Sequence, residues 1–178
     1  MTPAGQRRRP VHSWSSRSSV WCRPRPASST DANLSDADLT GADLSKVNLT
    51  NVNLSGADLT GADLSDVNLT DANLSGARLN VAFLSGARLR GADLSGAELH
   101  HAILSGADMH GSNLRDANLS DAVLTHAGLD GVIWSASTVW PAEIHSEMHA
   151  RSIEVEPGVF QVHDQGERSP TEGLTPSI

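Results

Sequence analysis

Gly41-Ala42-Asp43-Leu44-Ser45 and Gly91-Ala92-Asp93-Leu94-Ser95 are one five-residue phrase written twice. Between and beyond them the same phrase recurs: a small residue, then Asp or Asn, Leu, Ser or Thr, and a variable residue. From Asp31 to Ser135 it occurs twenty-one times without a slip. Leucine stands at 34, 39, 44, 49 and onward to 129, replaced only by Met109 and Trp134. Two places before it the residue is Ala or Val, and once Ser112.

A period of five fits neither regular element. Leucines every fifth residue would spiral around a helix of 3.6 residues per turn and form no face. A strand alternates with period two, and five is odd. The period does suit a chain that turns a corner once per phrase. The small residue and the leucine then point inward, and the other three point outward. Glycines such as Gly41, Gly56 and Gly61 recur at the corners, where a turn needs backbone freedom.

The phrases 41–45 and 91–95 resemble the consensus of the pentapeptide-repeat family, and the resemblance covers Asp31–Ser135. It implies an all-β fold, a right-handed quadrilateral β-helix with four pentads per coil. Twenty-one pentads then give about five coils, and at roughly 4.8 Å per stacked strand a rod about 25 Å long. Leucines stack on leucines, alanines fill the corners, and each coil rests on the next.

In that register residues twenty apart are neighbours, so the exterior reads as ladders. One reads Asn33, Asn53, Asn73, Asp93, Asn113, Ile133, where stacked amides can bond along the rod. A second reads Asp38, Asp58, Arg78, Glu98, Asn118, and a third Asn48, Asn68, Arg88, Asp108, Gly128. Arg78 between two acids and the step from Arg88 to Asp108 read as coil-to-coil ion pairs. Exposed pairs are worth about 0–1 kcal/mol, so they serve register and solubility. The fourth ladder differs: Asp43, Asp63, then Phe83, Ile103, Val123, with Val81 just before Phe83. Three apolar residues on successive coils mark a candidate contact surface for a partner or a second copy. The alternatives are that the chain's own C-terminal segment covers the stripe, or that it has no role.

Charge is uneven. Residues 1–30 hold six arginines and no acid, hence +6; residues 31–135 hold fourteen acids and five bases, hence −9; residues 136–178 hold seven acids and two arginines, hence −5. Within the repeats, 31–75 carry eight acids and one lysine, so Asp38, Asp43, Asp58 and Asp63 sit in a strongly acidic first part. That part approaches the charge density of duplex DNA, about one charge per 1.7 Å. The head 1–30, rich in Arg, Ser and Pro, lacks the apolar segment of a signal peptide. It is read as disordered and without function; a basic tail, a transit-like segment or a translated stretch upstream of the true start are the alternatives. Cys22 is the only cysteine, which leans to a reducing compartment and a cytoplasmic location. No apolar run reaches the roughly 18 residues of a membrane span.

Chemistry-bearing motifs are scarce. His100, His101, His110 and His126 share no ladder position in adjacent coils, although His101 falls near Asp121 and His110 between Arg90 and Asp130. His145 and His149 have a helical i, i+4 spacing, more often incidental than a metal pair. No metal or cofactor is therefore expected. The Asn-x-Ser/Thr triplets at Asn33, Asn48, Asn53, Asn68, Asn73 and Asn118 are by-products of the repeat. No serine has a candidate base and orienter beside it, and a rod offers no concave pocket, so no enzyme is expected.

After Ser135 the pattern changes. An open solenoid end exposes strand edges and core leucines and needs a cap. Residues 141–151 read as a short helix opened by Pro141, with Glu143 in its first turn and Ile144 and Met148 on one face. Residues 152–163 read as a strand pair around Pro157-Gly158. Trp134, Trp140, Ile144, Met148 and Phe160 are therefore cap residues, with homodimerisation through the same 136–163 segment as a compatible second role. Residues 164–178 read as a disordered tail.

Two functions stay open. The first is a non-catalytic scaffold or protein-interaction module with an unknown protein partner. The second rests on the resemblance: some pentapeptide-repeat proteins are dimeric acidic rods that occupy the DNA site of gyrase, and so act as DNA mimics. Uniform leucine at the centre, the uninterrupted coils and the arginines of the second half weigh against it here. Direct DNA binding by the acidic rod is not expected.

Overall fold

The computed structural model describes residues 32–163; the basic head and the C-terminal tail lie outside the described residues. Parallel β-bridges join Asn33 to Asn53, Asn53 to Asn73 and so on in four ladders, every partner twenty residues away until Asn118 meets Val139. The chain is thus a β-helix with a twenty-residue coil.

Each phrase is held by a repeating set of backbone bonds. Leu54 N–H donates to Asn73 O at 2.7 Å in the next coil, and Asn53 N–H donates to Ala32 O at 2.9 Å in the previous one. Within the phrase, Ala57 N–H donates to Leu54 O at 3.1 Å and closes the corner. The variable residue is then the third position of a four-residue turn. All of these corners from Asp36 to Gly131 have positive φ, between 53° and 71°, as a type II turn demands. Glycine meets that demand freely and Asp or Asn with little strain, which explains who occupies the corners. Val81, at φ 53°, is the only β-branched residue there among the described residues.

The acid or amide before each leucine has a local task that its ladder position does not reveal. Its Oδ1 accepts the N–H two residues on, as in Ser65 N–H to Asp63 at 3.0 Å and Thr70 N–H to Asn68 at 3.1 Å. This Asx bond satisfies a turn donor that the coil-to-coil ladders leave over. Along the ladder of Asn33 one stacked amide pair bonds, Asn53 Nδ2 to Asn33 Oδ1, and Asn113 Nδ2 donates to the Asp93 carboxylate, each at 3.0 Å.

The interior is a column of leucine and alanine. Leucines from Leu54 to Leu104 and alanines from Ala57 to Ala107 are sealed from solvent. Burying one leucine contributes about 1.5–3 kcal/mol, and each column member is shared by the coils above and below.

The rod closes at its C-terminal end. The Asn118–Val139 bridge spans twenty-one residues, so one residue is inserted after Trp134 and the phase slips by one. Thr138 takes the small-residue place and Trp140 the leucine place, both buried. Strand β1 (Ile133–Ser135) then pairs antiparallel with β3 (Val159–Val162), which pairs with β2 (Ser152–Glu156) across the Pro157-Gly158 turn. Helix α1 covers His145–Ala150. It is shorter than the sequence predicts: Pro141 and Glu143 belong to a preceding turn, in which Ile144 N–H donates to Pro141 O at 3.2 Å.

Candidate partner-binding face and acidic ladders

Phe83, Ile103 and Val123 stand on one face and are bridged coil to coil. Phe83 is 47% exposed, Val123 44% and the adjoining Val81 46%, while Ile103 between them is half-buried. Among the described residues, 136–163 fold onto the rod's end and do not cover this stripe; the rest of the C-terminal segment, 164–178, which the covering alternative also includes, lies outside the described residues. With coils about 4.8 Å apart, its three rungs span about 10 Å. At each rung an apolar residue replaces the turn-capping acid or amide, so the Asx bond that Asp43 and Asp63 accept from Ser45 and Ser65 lower on the same face cannot form to Ser85, Ser105 or Thr125.

The acids Asp38, Asp43, Asp58 and Asp63 lie on two adjacent faces, Asp38 bridged to Asp58 and Asp43 to Asp63. Asp38 and Asp43 are exposed; Asp58 and Asp63 are half-buried. The Asp58 carboxyl is held below its ordinary value, first by the Thr60 hydroxyl and backbone N–H and then by Arg78, whose Nη1 lies 3.6 Å away.

The expected ion pairs are only partly formed. Arg78 turns to Asp58, and Glu98 accepts instead from Asn80 Nδ2 at 2.9 Å. Asp108 pairs with Arg90 at 3.4 Å rather than with Arg88, its neighbour on the ladder. Arg90 occupies a Ser/Thr place, and its length lets it reach diagonally into the next coil. A charge network results: Asp108 contacts His110 Nδ1 at 2.5 Å, His110 Nε2 lies 3.5 Å from Asp130, and Asp130 pairs with Arg151 at 2.9 Å. Burial works to raise the Asp108 carboxyl, but hydrogen bonds and charge from His110, with Arg90, hold it below its ordinary value.

The cap residues converge on the last coil. Trp134, Trp140 and Met148 are buried, and Ile144 and Phe160 are partly buried against them. Trp134 stacks on Phe160 with ring centroids 4.5 Å apart and meets Trp140 edge-on. Its Nε1–H donates to Ser152 Oγ at 2.9 Å, which donates to Met148 O at 2.6 Å. Three of these five side chains thus offer no surface to a second chain. The exposed apolar residues of the segment are Val139, Ile153 and Val155, which the cap reading of the sequence misses; in β2 Ile153, Glu154, Val155 and Glu156 are all exposed, and the alternating pattern alone does not show that both faces are open.

His145 and His149 do lie on one side of α1, ring centroids 4.8 Å apart. His100, His101 and Asp121 come together at one corner. No helix among the described residues is long and apolar enough to cross a membrane.

This geometry is that of a known class. The family model for pentapeptide repeats matches residues 30–66, 68–106 and 102–133, and the chain belongs to the pentapeptide-repeat family, whose fold is a right-handed β-helix. Among solved structures it resembles the pentapeptide-repeat protein Rfr23 from the cyanobacterium Cyanothece 51142. That match has 41% identity over 53% of this chain and 64% of Rfr23, with a TM-score of 0.53. A second is alr5209, a pentapeptide-repeat protein from Nostoc Pcc 7120, with 40% identity over 50% of this chain and 74% of that one, TM-score 0.50. No curated protein matches the chain. Proteins of this family are generally structural or binding modules.

Proposed function

We propose that the chain is a non-catalytic interaction module, a four-sided rod of about five coils that docks a protein partner on the stripe Val81, Phe83, Ile103 and Val123. One observation carries this reading. On three successive rungs of one face the sequence gives up the Asx turn bond and presents an apolar side chain, two of them nearly half exposed. A local turn bond of this kind is worth about 1 kcal/mol, so the stripe is kept at a cost to the fold. Val81, a β-branched residue at φ 53°, adds strain at the same place.

The same face continues below into Asp63 and Asp43. The partner that fits is therefore a protein surface with apolar residues beside lysine or arginine. The test places a photoreactive phenylalanine analogue at position 83 and maps the cross-linked site on the partner. A single partner, lost when Ile103→Ser and Val123→Ser are combined with the analogue at 83 while the rod's melting curve is unchanged, supports the reading. Equal capture by that variant sinks it.

A second reading is the acidic DNA mimic acting on gyrase or another topoisomerase, with Asp38, Asp43, Asp58 and Asp63 as its surface. It is favoured by the placement of all four acids on adjacent faces of stacked coils and opposed by Arg78 beside Asp58. Inhibition of gyrase supercoiling that falls with added salt and with the four Asp→Asn changes would support it; inhibition equal in that variant would remove it. A homodimer through the C-terminal segment is a compatible proposal, resting on β2, the outer strand of its sheet, with exposed Ile153 and Val155. A cytoplasmic site of action is proposed from the single cysteine alone.

A further inference from the structure

We propose that His100, His101 and Asp121 form a site for a divalent transition-metal ion of the zinc type. The argument begins with the phrase. His100 fills a Ser/Thr place and His101 the corner after it, so two imidazoles leave the rod side by side, ring centroids 3.9 Å apart. Asp121 is the corner residue of the next coil, stacked over His101. Three donors thus come from two positions of the repeat, and comparing histidines ladder by ladder hides the cluster.

A ligand atom of each residue lies within 4.8 Å of the other two. Around a zinc with bonds of 2.0–2.1 Å, tetrahedral donors stand about 3.3 Å apart. His101 and Asp121 are exposed, so side-chain rotation can close that gap. His100 is already oriented. Its Nδ1 is 3.0 Å from Ser120 O and 2.8 Å from Ser120 Oγ. The same Nδ1 lies 3.7 Å from Asp121 Oδ2, so Asp121 and His101, both exposed, must turn toward Nε2 when a metal binds. The carbonyl can only accept, and Ser120 Oγ spends its proton on Asn118 Oδ1 at 2.7 Å. Nδ1 therefore carries the hydrogen, and Nε2 keeps the lone pair that a metal takes. A ring nitrogen anchored to a carbonyl is the outer-shell arrangement that fixes a ligating histidine.

Two neutral imidazoles and one carboxylate suit zinc and its softer neighbours over calcium or magnesium, which want oxygen. Three protein donors leave a fourth tetrahedral position toward solvent, available to water or to a donor from another molecule. The corner ladder Val81, His101, Asp121 borders the stripe of Phe83 and Ile103, but the metal site does not depend on that stripe being a docking face.

The test is zinc chloride titrated into the full chain, read by calorimetry and by the histidine ring signals in NMR. The expected result is one ion per chain, with the ring protons of His100 and His101 shifted and those of His145 and His149 unmoved. His101→Asn and Asp121→Asn should each weaken binding at least about tenfold, and the His145→Ala, His149→Ala double variant should bind as the parent does. Asparagine accepts positive φ at both corners, so both variants keep the fold, which circular dichroism checks. No bound zinc, unmoved His100 and His101 signals, or unchanged affinity in both asparagine variants would overturn the proposal.

Discussion

The two ends of the rod are built from the same phrase and finished differently. At the C-terminal end Trp134 and Trp140 are buried, and β3 pairs along β1. At the N-terminal end Leu34, Leu39 and Leu44 are only partly buried among the described residues. Between the ends every leucine has a coil on both sides. A five-residue phrase can therefore specify its own interior indefinitely, but it cannot specify a stop. Stopping takes residues that break the phrase: the one-residue slip before Thr138, a tryptophan in a leucine place, and the helix and hairpin that bring Met148 and Phe160 onto it.

Because stability in a solenoid is a sum over neighbours, substitutions should grade with position. Leu84→Asp is the largest. It buries an unpaired carboxylate between two coils, at a site 1% exposed, and belongs with changes costing more than about 4–5 kcal/mol. The expected outcome is loss of the cooperative melting transition in circular dichroism. Trp134→Ala comes next, at about 3–5 kcal/mol, read by urea unfolding. Leu39→Ala, at the open end, should cost less than the 2–5 kcal/mol typical of a buried leucine. An equal cost for Leu39→Ala and Leu79→Ala would mean that something closes the first coil in solution, and the contrast between the ends would fall.

The interior was legible because it obeys a strict period, and a period of five admits few solutions. The twenty-residue register and the inward leucines follow directly from it, as does the face that carries Phe83, Ile103 and Val123. Three things were not legible. The Asx bonds of Asp63 and Asn68 depend on the turn's dihedrals, which residue types alone do not fix. The pairing of Asp108 with Arg90 depends on side-chain reach across a corner. The His100, His101 and Asp121 cluster joins two positions of the phrase, so no single ladder shows it. In each case local geometry decides the contact; the period by itself sets His101 beside Asp121 but does not bring His100 to them.

Midway between the ends, Val81 tests how far the corners are free. A left-handed conformation costs an ordinary residue about 1–2 kcal/mol, and asparagine less. Val81→Asn should therefore stabilise the rod by about 1 kcal/mol in urea unfolding, and under the stripe reading it should weaken partner capture at the same time. Stabilisation with undiminished capture would leave the corner outside the docking face.

The smallest effect concerns the charges that tie the rod to its closed end. Asp108 reaches the cap through His110, Asp130 and Arg151. Its folded carboxyl lies below the ordinary value of 3.8, so the ionised form is favoured by folding. Such a group stabilises the protein above its unfolded value, and that contribution is lost as pH falls through the folded value. The group is partly exposed, with 34% of its side chain in solvent, so solvent screening keeps the contribution under about 1 kcal/mol. The parent should melt slightly above Asp108→Asn at neutral pH, and the two should converge below pH 3.8. The matching change at the other end, Asp38→Asn, touches a carboxylate that among the described residues accepts the Thr40 N–H at 3.2 Å and joins no ion-pair network, and its melting difference from the parent should be smaller at neutral pH. If the Asp108→Asn difference persisted unchanged into acid, the carboxylate's shape and not its charge would be what holds the network, and the closed end would owe its stability to packing alone.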